Sequence, residues 1–522
     1  MNLRDLVLPI SLAFVSVIVL NYFFPSNSSK ETVETTFIAP REKKEYRPLN
    51  VEVDFYDHKR PSHTLSGEAL VKSEQITDFE TDWGHLSFST DGASLDSIDF
   101  KRESDGHMKT IRTVFPVADT ERENRCFLVA LQDATPFYYT LISAQEHDTH
   151  YELIYASGND SCVIEKIFTI DKQKPRIDLA IEIAPKHGQH DTLEPRIFFS
   201  APMMPDLKAT DVISSIVIDQ NDVFAKKQLN QLDVHRGWFK PRMFGADDRY
   251  FIHAMIDDHH HFAQRAYYKL EERNHLFSVV EGPTVTEKTS WTLSFYFGPK
   301  ELSALGAVDT RLEKTLDYSG VLSFLAKLLL YILNWLYTFV HNYGVAIILL
   351  TLLIQICLLP VSLRNSEEKF KKQNAEYQRE LAFIEQRFAG NPEKLLAERT
   401  ALIRKKGLPG FGCLLPILLQ MPIFFALSRV LSSSFELYQA PFLWISDLSA
   451  RDPYFILPVL VIIFMLLNDT SGNPQQRMTK IAVAFAFGAA TATFAAGLTL
   501  YILIGRILGF VQTKMMHFFK LV

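Results

Sequence analysis

Apolar and polar positions alternate through one part of this chain and give way to unbroken apolar runs in the rest. From about Val51 to Lys300 the alternation has period two, in stretches such as "HLSFSTDGASLDSIDF", "PRIDLAIEIAP", "DVISSIVIDQ", "DRYFIHAMIDD" and "WTLSFYFGP". β-Branched and aromatic residues fill these stretches, and Asp, Gly, Asn and Pro divide them, so the pattern predicts strands joined by turns. So many successive strands predict an all-β unit, a large β-sandwich, over residues 51–318.

Long apolar runs frame that unit. Leu6–Phe24 follows a basic Arg4 and no small-residue cleavage site follows it, so residues 1–25 predict an uncleaved transmembrane signal anchor with its N-terminus inside. Residues 26–50 are polar and predict a flexible linker. Later runs are Val321–Val340, Val345–Leu363, Leu414–Leu431, Tyr454–Leu467, Ile481–Ala496 and Leu498–Val511. If all six crossed, the basic stretch after Leu363 would face outside, against the positive-inside tendency. Val321–Val340 carries Lys327, Asn334, Trp335 and Tyr337, which suits an amphipathic helix lying in the interface, residues 319–343. The other five runs then form a bundle over 344–513, with a short tail at 514–522. With the anchor this makes six crossings, both termini cytoplasmic and the β unit outside.

The basic stretch, residues 364–407, predicts a cytoplasmic helical hairpin. Phe370, Tyr377, Leu381, Ile384 and Phe388 recur at heptad-like spacing, as do Leu395, Leu402 and Ile403. Gly390 stops the first helix, and Asn391-Pro392 starts the second as N-cap and first helical residue. A charged coiled coil serving only solubility has the same pattern. Charge agrees with a membrane protein: the chain carries −6 overall, while Arg364–Lys406 holds 11 Lys/Arg and 7 Asp/Glu, a local +4 that leaves −10 elsewhere. That balance argues against nucleic-acid readout, which needs a basic globular face.

Candidate chemistry is sparse. Four cysteines show no metal-ligand spacing; Cys357 and Cys413 lie in or beside apolar runs, while Cys126 in "RCFLVAL" and Cys162 in "DSCVIEKIF" lie in strand-like stretches and could pair if exported. "DDHHHF", Asp257–Phe262, fits a His run in a hairpin turn better than a metal site. No phosphate-binding G-x-x-x-x-G-K-[ST] loop and no nucleophile–base pair is recognisable, so neither enzyme chemistry nor a cofactor is expected. One polar residue stands out: Gln355 sits halfway along "GVAIILLTLLIQICLLP", where an unpartnered amide costs roughly 2–7 kcal/mol. Thr351, four residues earlier, shares its helix face.

Several stretches together resemble the YidC/Oxa/Alb family of membrane protein insertases, in its Gram-negative bacterial form. They are "GWFKPRMFGADDRYFIHAMI", "FYFGPKEL", "LDYSGVLSFLAKLLLYILNWLYTFVHNYGVAIILLT", "LLPILLQMPIFFAL", "ELYQAPFLWISDLSARDPYFILPVL", "NPQQRM" and "GLTLY", in the family's order over almost the whole chain. The resemblance implies a membrane α-helical bundle of six transmembrane helices, five forming the insertase core, with a periplasmic β-super-sandwich related to sugar-mutarotase folds. It implies residence in the bacterial inner membrane and a polar groove that takes the hydrophilic segment of an incoming chain while its apolar segment moves into lipid. Implied partners are nascent membrane proteins, the Sec translocon, membrane lipids, and the ribosome through the basic hairpin.

The resemblance also marks departures. The family's groove Arg falls on Gln355, and a position usually Asn after "GLTLY" holds Arg506. Gln355 lies about 10 residues into its span and Arg506 about 9 into its own, so both reach roughly 13–15 Å, near mid-membrane. The resemblance places a family groove glutamine at Gln420, so the groove it implies is Thr351, Gln355, Gln420 and Arg506, its cation moved to the last span, with Met421, Phe424 and Ile502 as apolar contacts for a sliding segment. Arg429, about 180° around the helix from Gln420, reads as an interfacial anchor. The tail holds only Lys514, His517 and Lys520, so ribosome contact through it is not expected. Two other functions fit mid-span polar residues and a β unit: a secondary transporter, although no internal repeat is visible, and a membrane-tethered carbohydrate-binding protein.

Overall fold

The computed structural model describes residues 64–66, 74–316 apart from short internal stretches, 323–364, 379–388, 392–406, 411–467 and 474–518. The anchor and linker expected over residues 1–50 lie outside the described residues. Two compact units divide the described chain, one of strands ending at Leu316 and one of helices beginning after it.

The largest sheet of the β unit has nine antiparallel strands. Their order is Phe224–Gln228, Ser214–Ile218, Met243–Asp247, Phe251–Asp258, Thr289–Pro299, Arg176–Pro185, Cys162–Asp171, His150–Gly158 and Thr140–Glu146. Alternation decides which face is buried. In Cys162–Asp171 the even-numbered residues Cys162, Ile164, Lys166, Phe168 and Ile170 point inward, and Ile177, Leu179, Ile181 and Ile183 do so on the paired strand. That face meets a four-stranded sheet (Ile76–Glu80, Gly84–Ser89, Ser94–Ser104, His107–Val114) through Phe88–Phe168 and Phe100–Phe251, each pair 4.9 Å between ring centroids. A five-stranded sheet (Gly237–Phe239, Arg265–Leu270, Leu276–Glu281, Arg196–Ser200, Val129–Ala130) meets it through Phe199–Phe295 at 5.4 Å. Such aromatic pairs add about 0.5–1.5 kcal/mol each beyond their burial. The all-β sandwich expected from the alternation is what forms.

Strands Ser214–Ile218 and Met243–Asp247 are buried on both faces. The short helix α1, Leu302–Val308, and the turn Thr310–Thr315 lead the chain back to this half of the sheet, where Arg311 donates to the Ile256 carbonyl and Lys226 donates to Thr315 O at 3.1 Å.

Two expectations for this unit change, and one open alternative closes. "RCFLVAL" does not run as one strand: Cys126 makes a single bridge to Leu95 and Val129–Ala130 pairs beyond it, while between them Phe127 turns into the left-handed region at φ +67° and its ring lies among Phe168, Phe295 and Phe297. Cys126 and Cys162 do not pair; both are buried free thiols, and burial pushes their pKa values up to about 12 and about 11. "DDHHHF" is not a hairpin turn. It carries the chain from Phe251–Asp258 in the nine-stranded sheet to Arg265–Leu270 in the five-stranded sheet, with Asp258 accepting from the Phe262 and Ala263 amides.

In the helical unit the elements are α2 (Ser323–Val340), α3 (Tyr343–Arg364), α4 (Pro392–Lys406), α5 (Phe411–Ser433), α6 (Ile456–Leu467), α7 (Pro474–Thr491) and α8 (Ala496–Phe518). Residues 379–387 form a further helix before α4, and an ion pair between Arg399 and Glu385 bridges the two. Pro392 opens α4, as its missing N–H allows at a first helical position. Helix α2 packs on α3 and α5, and α8 packs on α3, α5 and α6.

Among the described residues only α2 is long and apolar enough to cross a membrane by length and composition. The charge argument had laid this segment in the interface. Its buried stripe is Ala326, Leu329, Leu330 and Leu333, while Phe324, Tyr331, Trp335 and Phe339 are exposed, so its outer face is aromatic. The described part of helix α6, Ile456–Leu467, is about 18 Å long. The run Ile481–Ala496 is split: α7 ends at Thr491, and α8 starts at Ala496, whose amide donates to Ala450 O at 2.6 Å. Gly488 on α7 lets Ile462 of α6 approach so closely that a Cβ there would lie 2.2 Å from it.

Candidate functional site

Two glutamines from different helices converge on one face of α8. Gln420, on α5, donates its amide to the Tyr501 hydroxyl. Gln355, on α3, brings its Nε2 beside Gly505, 3.5 Å from where a Cβ would stand. Positions 501 and 505 are one turn apart and share a face. Both glutamines are half-buried and Tyr501 is buried. An amide in hydrocarbon gains from each partner it finds, by about 0.6–2 kcal/mol for an interhelical bond. Gly505 lets the Gln355 amide lie against α8 where a longer side chain would displace it.

Arg506 occupies the neighbouring stripe, about 100° around α8 from Gly505. Its side chain is exposed, and its guanidinium carbon lies 5.5 Å from the Phe487 ring centroid on α7, a cation–π arrangement. Among the described residues no carboxylate pairs with it. Gln355 and Arg506 thus flank the same turn of α8 without touching, the glutamine toward α3 and the arginine toward α7.

Other expected residues separate. Thr351 is fully buried and spends its hydroxyl on the Ile347 carbonyl of its own helix at 2.7 Å, so it packs the α3 core and offers no polar group to a groove. Met421, next to Gln420 in the chain, is 40% exposed. Phe424 is half-buried, its ring 5.6 Å from Phe425 and 6.3 Å from Phe494. Ile502, 7% exposed, is held inside the bundle and is not available for that contact. Arg429 is half-buried near the end of α5, where its carbonyl accepts from Ser433.

Sequence reasoning passed over Tyr501, although a tyrosine inside an apolar run needs a hydroxyl partner and so signals one. Asn334, read in the sequence only as part of an interfacial helix, lies 3.4 Å from the buried Glu436 carboxylate and 3.4 Å from the Tyr343 hydroxyl, partners that the pattern did not signal. Asp452 was missed too. Its carboxylate accepts from the Tyr454 and Leu457 amides and from Trp444 Nε1, which fixes the loop entering α6.

Two family models match adjacent parts of the chain: "YidC periplasmic domain" over residues 77–332 and "60Kd inner membrane protein" over residues 335–520. A membrane protein insertase YidC of Thioalkalivibrio sulfidiphilus is 40% identical over 231 residues, covering 43% of this chain and 41% of that protein. One from Syntrophus aciditrophicus is 30% identical over 365 residues, covering 67% and 66%. The chain thus spans about two fifths to two thirds of the length of the curated relatives it matches. A crystal structure titled as an active YidC insertase with the first transmembrane domain resolved aligns at 16% identity and a TM-score of 0.33, covering 85% of this chain and 93% of that one.

Proposed function

This chain belongs to the YidC family of inner-membrane proteins with a periplasmic domain, and from that premise we propose that it is a membrane protein insertase and folding chaperone. It lowers the barrier for moving the hydrophilic tail of a nascent membrane protein across the bilayer. Asp, Lys or Arg at mid-membrane costs about 2.5–3.5 kcal/mol on insertion scales, and fixed polar groups remove part of that cost. The apolar segment then enters lipid by its own burial, and no covalent bond is made or broken.

The observation that carries the reading is the convergence of Gln355, Gln420 and Tyr501 on α8 beside the exposed Arg506 cation. The glutamines supply amide dipoles to a passing tail, Arg506 supplies charge, and Met421 supplies an apolar, flexible contact. In this reading the anchor and α3, α5, α6, α7 and α8 cross the membrane, α2 lies at the outer interface, and the helices around Glu385 and Arg399 form a cytoplasmic hairpin. Both termini are then cytoplasmic. The Sec translocon and membrane lipids are its partners in the membrane, and the basic hairpin is its surface for the ribosome.

Reconstituted vesicles test the role of Arg506. Arg506→Ala slows insertion of a substrate with an acidic tail about tenfold, equivalent to about 1.4 kcal/mol of barrier. Arg506→Lys keeps most of the rate, and a neutral-tailed substrate is unaffected by either change. Equal insertion of the acidic tail by the Ala variant removes the cation from the mechanism. Crosslinkers placed at 355 and 420 capture a stalled nascent chain if the glutamines line its path.

A further inference from the structure

The strands Thr140–Glu146 and His150–Gly158 form a hairpin at one edge of the nine-stranded sheet. Glu146 pairs with Tyr151, and the His147 amide donates to His150 O at 2.9 Å, which leaves Asp148-Thr149 as a two-residue turn. His147 and His150 therefore oppose each other directly and share a face. Glu152, two residues along, joins them because strand side chains alternate. The opposite face carries Leu153 and Tyr155 into the sandwich core.

The two imidazole rings are stacked 4.5 Å apart, and His147 Nε2 lies 3.7 Å from Glu152 Oε2. One donor atom from each of the three side chains falls within 4.8 Å of the other two, and all three residues are partly exposed. His150 Nδ1 lies 3.1 Å from the Thr149 hydroxyl, which can donate to that nitrogen or accept from it. Two imidazoles and one carboxylate are a donor set that zinc uses when it keeps one position open. Bonds of about 2.0–2.1 Å would draw the donors together by side-chain rotation alone, since the paired strands already fix the backbone.

We propose that His147, His150 and Glu152 bind a divalent transition-metal ion, zinc by their donor set, at the hairpin tip, with the fourth position open to water or to a donor from a partner. This proposal stands apart from the insertase reading and from the His259–His261 run considered in the sequence. Full-length protein in detergent, free of any affinity tag and stripped with chelator, binds one Zn2+ per chain in calorimetry. His147→Ala and His150→Ala each weaken that binding at least tenfold, while the double variant His260→Ala/His261→Ala leaves it unchanged. Zinc also shields His147 and His150 from diethyl pyrocarbonate, read residue by residue by mass spectrometry. No binding by the unaltered protein, equal binding by His150→Ala, or unchanged modification of both histidines in zinc overturns the site.

Discussion

Lys166 occupies an inward register position of its strand, where the alternation calls for an apolar side chain. It is 0% exposed, and its ammonium donates to Gly92 O at 2.6 Å, Ala93 O at 3.2 Å and Phe127 O at 2.8 Å. Burial pushes its pKa well down, while three carbonyl acceptors favour the charged form; its place in the core depends on those acceptors. His253 shows the same economy, with Nδ1 against Ser200 O at 3.0 Å, Nε2 against the Thr113 hydroxyl at 3.1 Å and the ring stacked on Phe297. Burial lowers its pKa to about 3, so it stays neutral in the fold while an unfolded histidine protonates near pH 6.5. Its contribution is complete above pH 6.5 and is lost as pH falls from 6.5 toward 3, by about 1.4 kcal/mol per unit. Asp248, raised to about 6 mainly by burial, acts in the opposite sense, because its contribution is lost as pH rises from about 4 to 6. The expected outcome is a stability difference between the unaltered protein and His253→Gln that shrinks as pH falls from 6.5 to 4; parallel pH profiles would refute the neutral buried imidazole.

At the scale of elements, periodicity identified strands and helices well and their ends less well. "PRIDLAIEIAP" became Arg176–Pro185, and its inward residues Ile177, Leu179, Ile181 and Ile183 are all fully buried. "RCFLVAL" is interrupted at Phe127, whose positive φ sets its ring against Phe295 in the aromatic core. The run Ile481–Ala496 was broken by contacts no periodicity reports: Ala496 and Gly497 donate to Ala450 and Leu448 of a distant loop, which starts α8 there. Small residues allow helices to pack closely, and Gly488 against Ile462 is such a contact. Gly488→Leu therefore separates α6 from α7, with a cost of about 1–3 kcal/mol for overpacking. Lower thermal stability of the helical unit in detergent checks this, and an unchanged midpoint would mean the two helices part without cost.

For the whole molecule, two compact units with their own buried cores predict two unfolding transitions. Gly488→Leu should move only the transition of the helical unit, and His253→Gln only that of the β unit; a single transition shifted by both variants would mean one cooperative structure. The proposed groove follows the same division between levels. Gln355 stood out in the sequence because a polar side chain at mid-run is costly in lipid, while Gln420 and Arg506 came from the family resemblance. Thr351 shared a helix face with Gln355 yet bonds its own backbone, and Ile502 turned inward. By itself the sequence determined the order and type of the two units, the sandwich, and which polar residues lie deep in apolar runs, because these depend on local periodicity and charge. Only the tertiary structure decided that Tyr501 receives Gln420, that Gln355 lies against Gly505 while Arg506 turns to Phe487, and that three residues of one hairpin converge as metal donors, because each depends on which surfaces meet after the chain has packed.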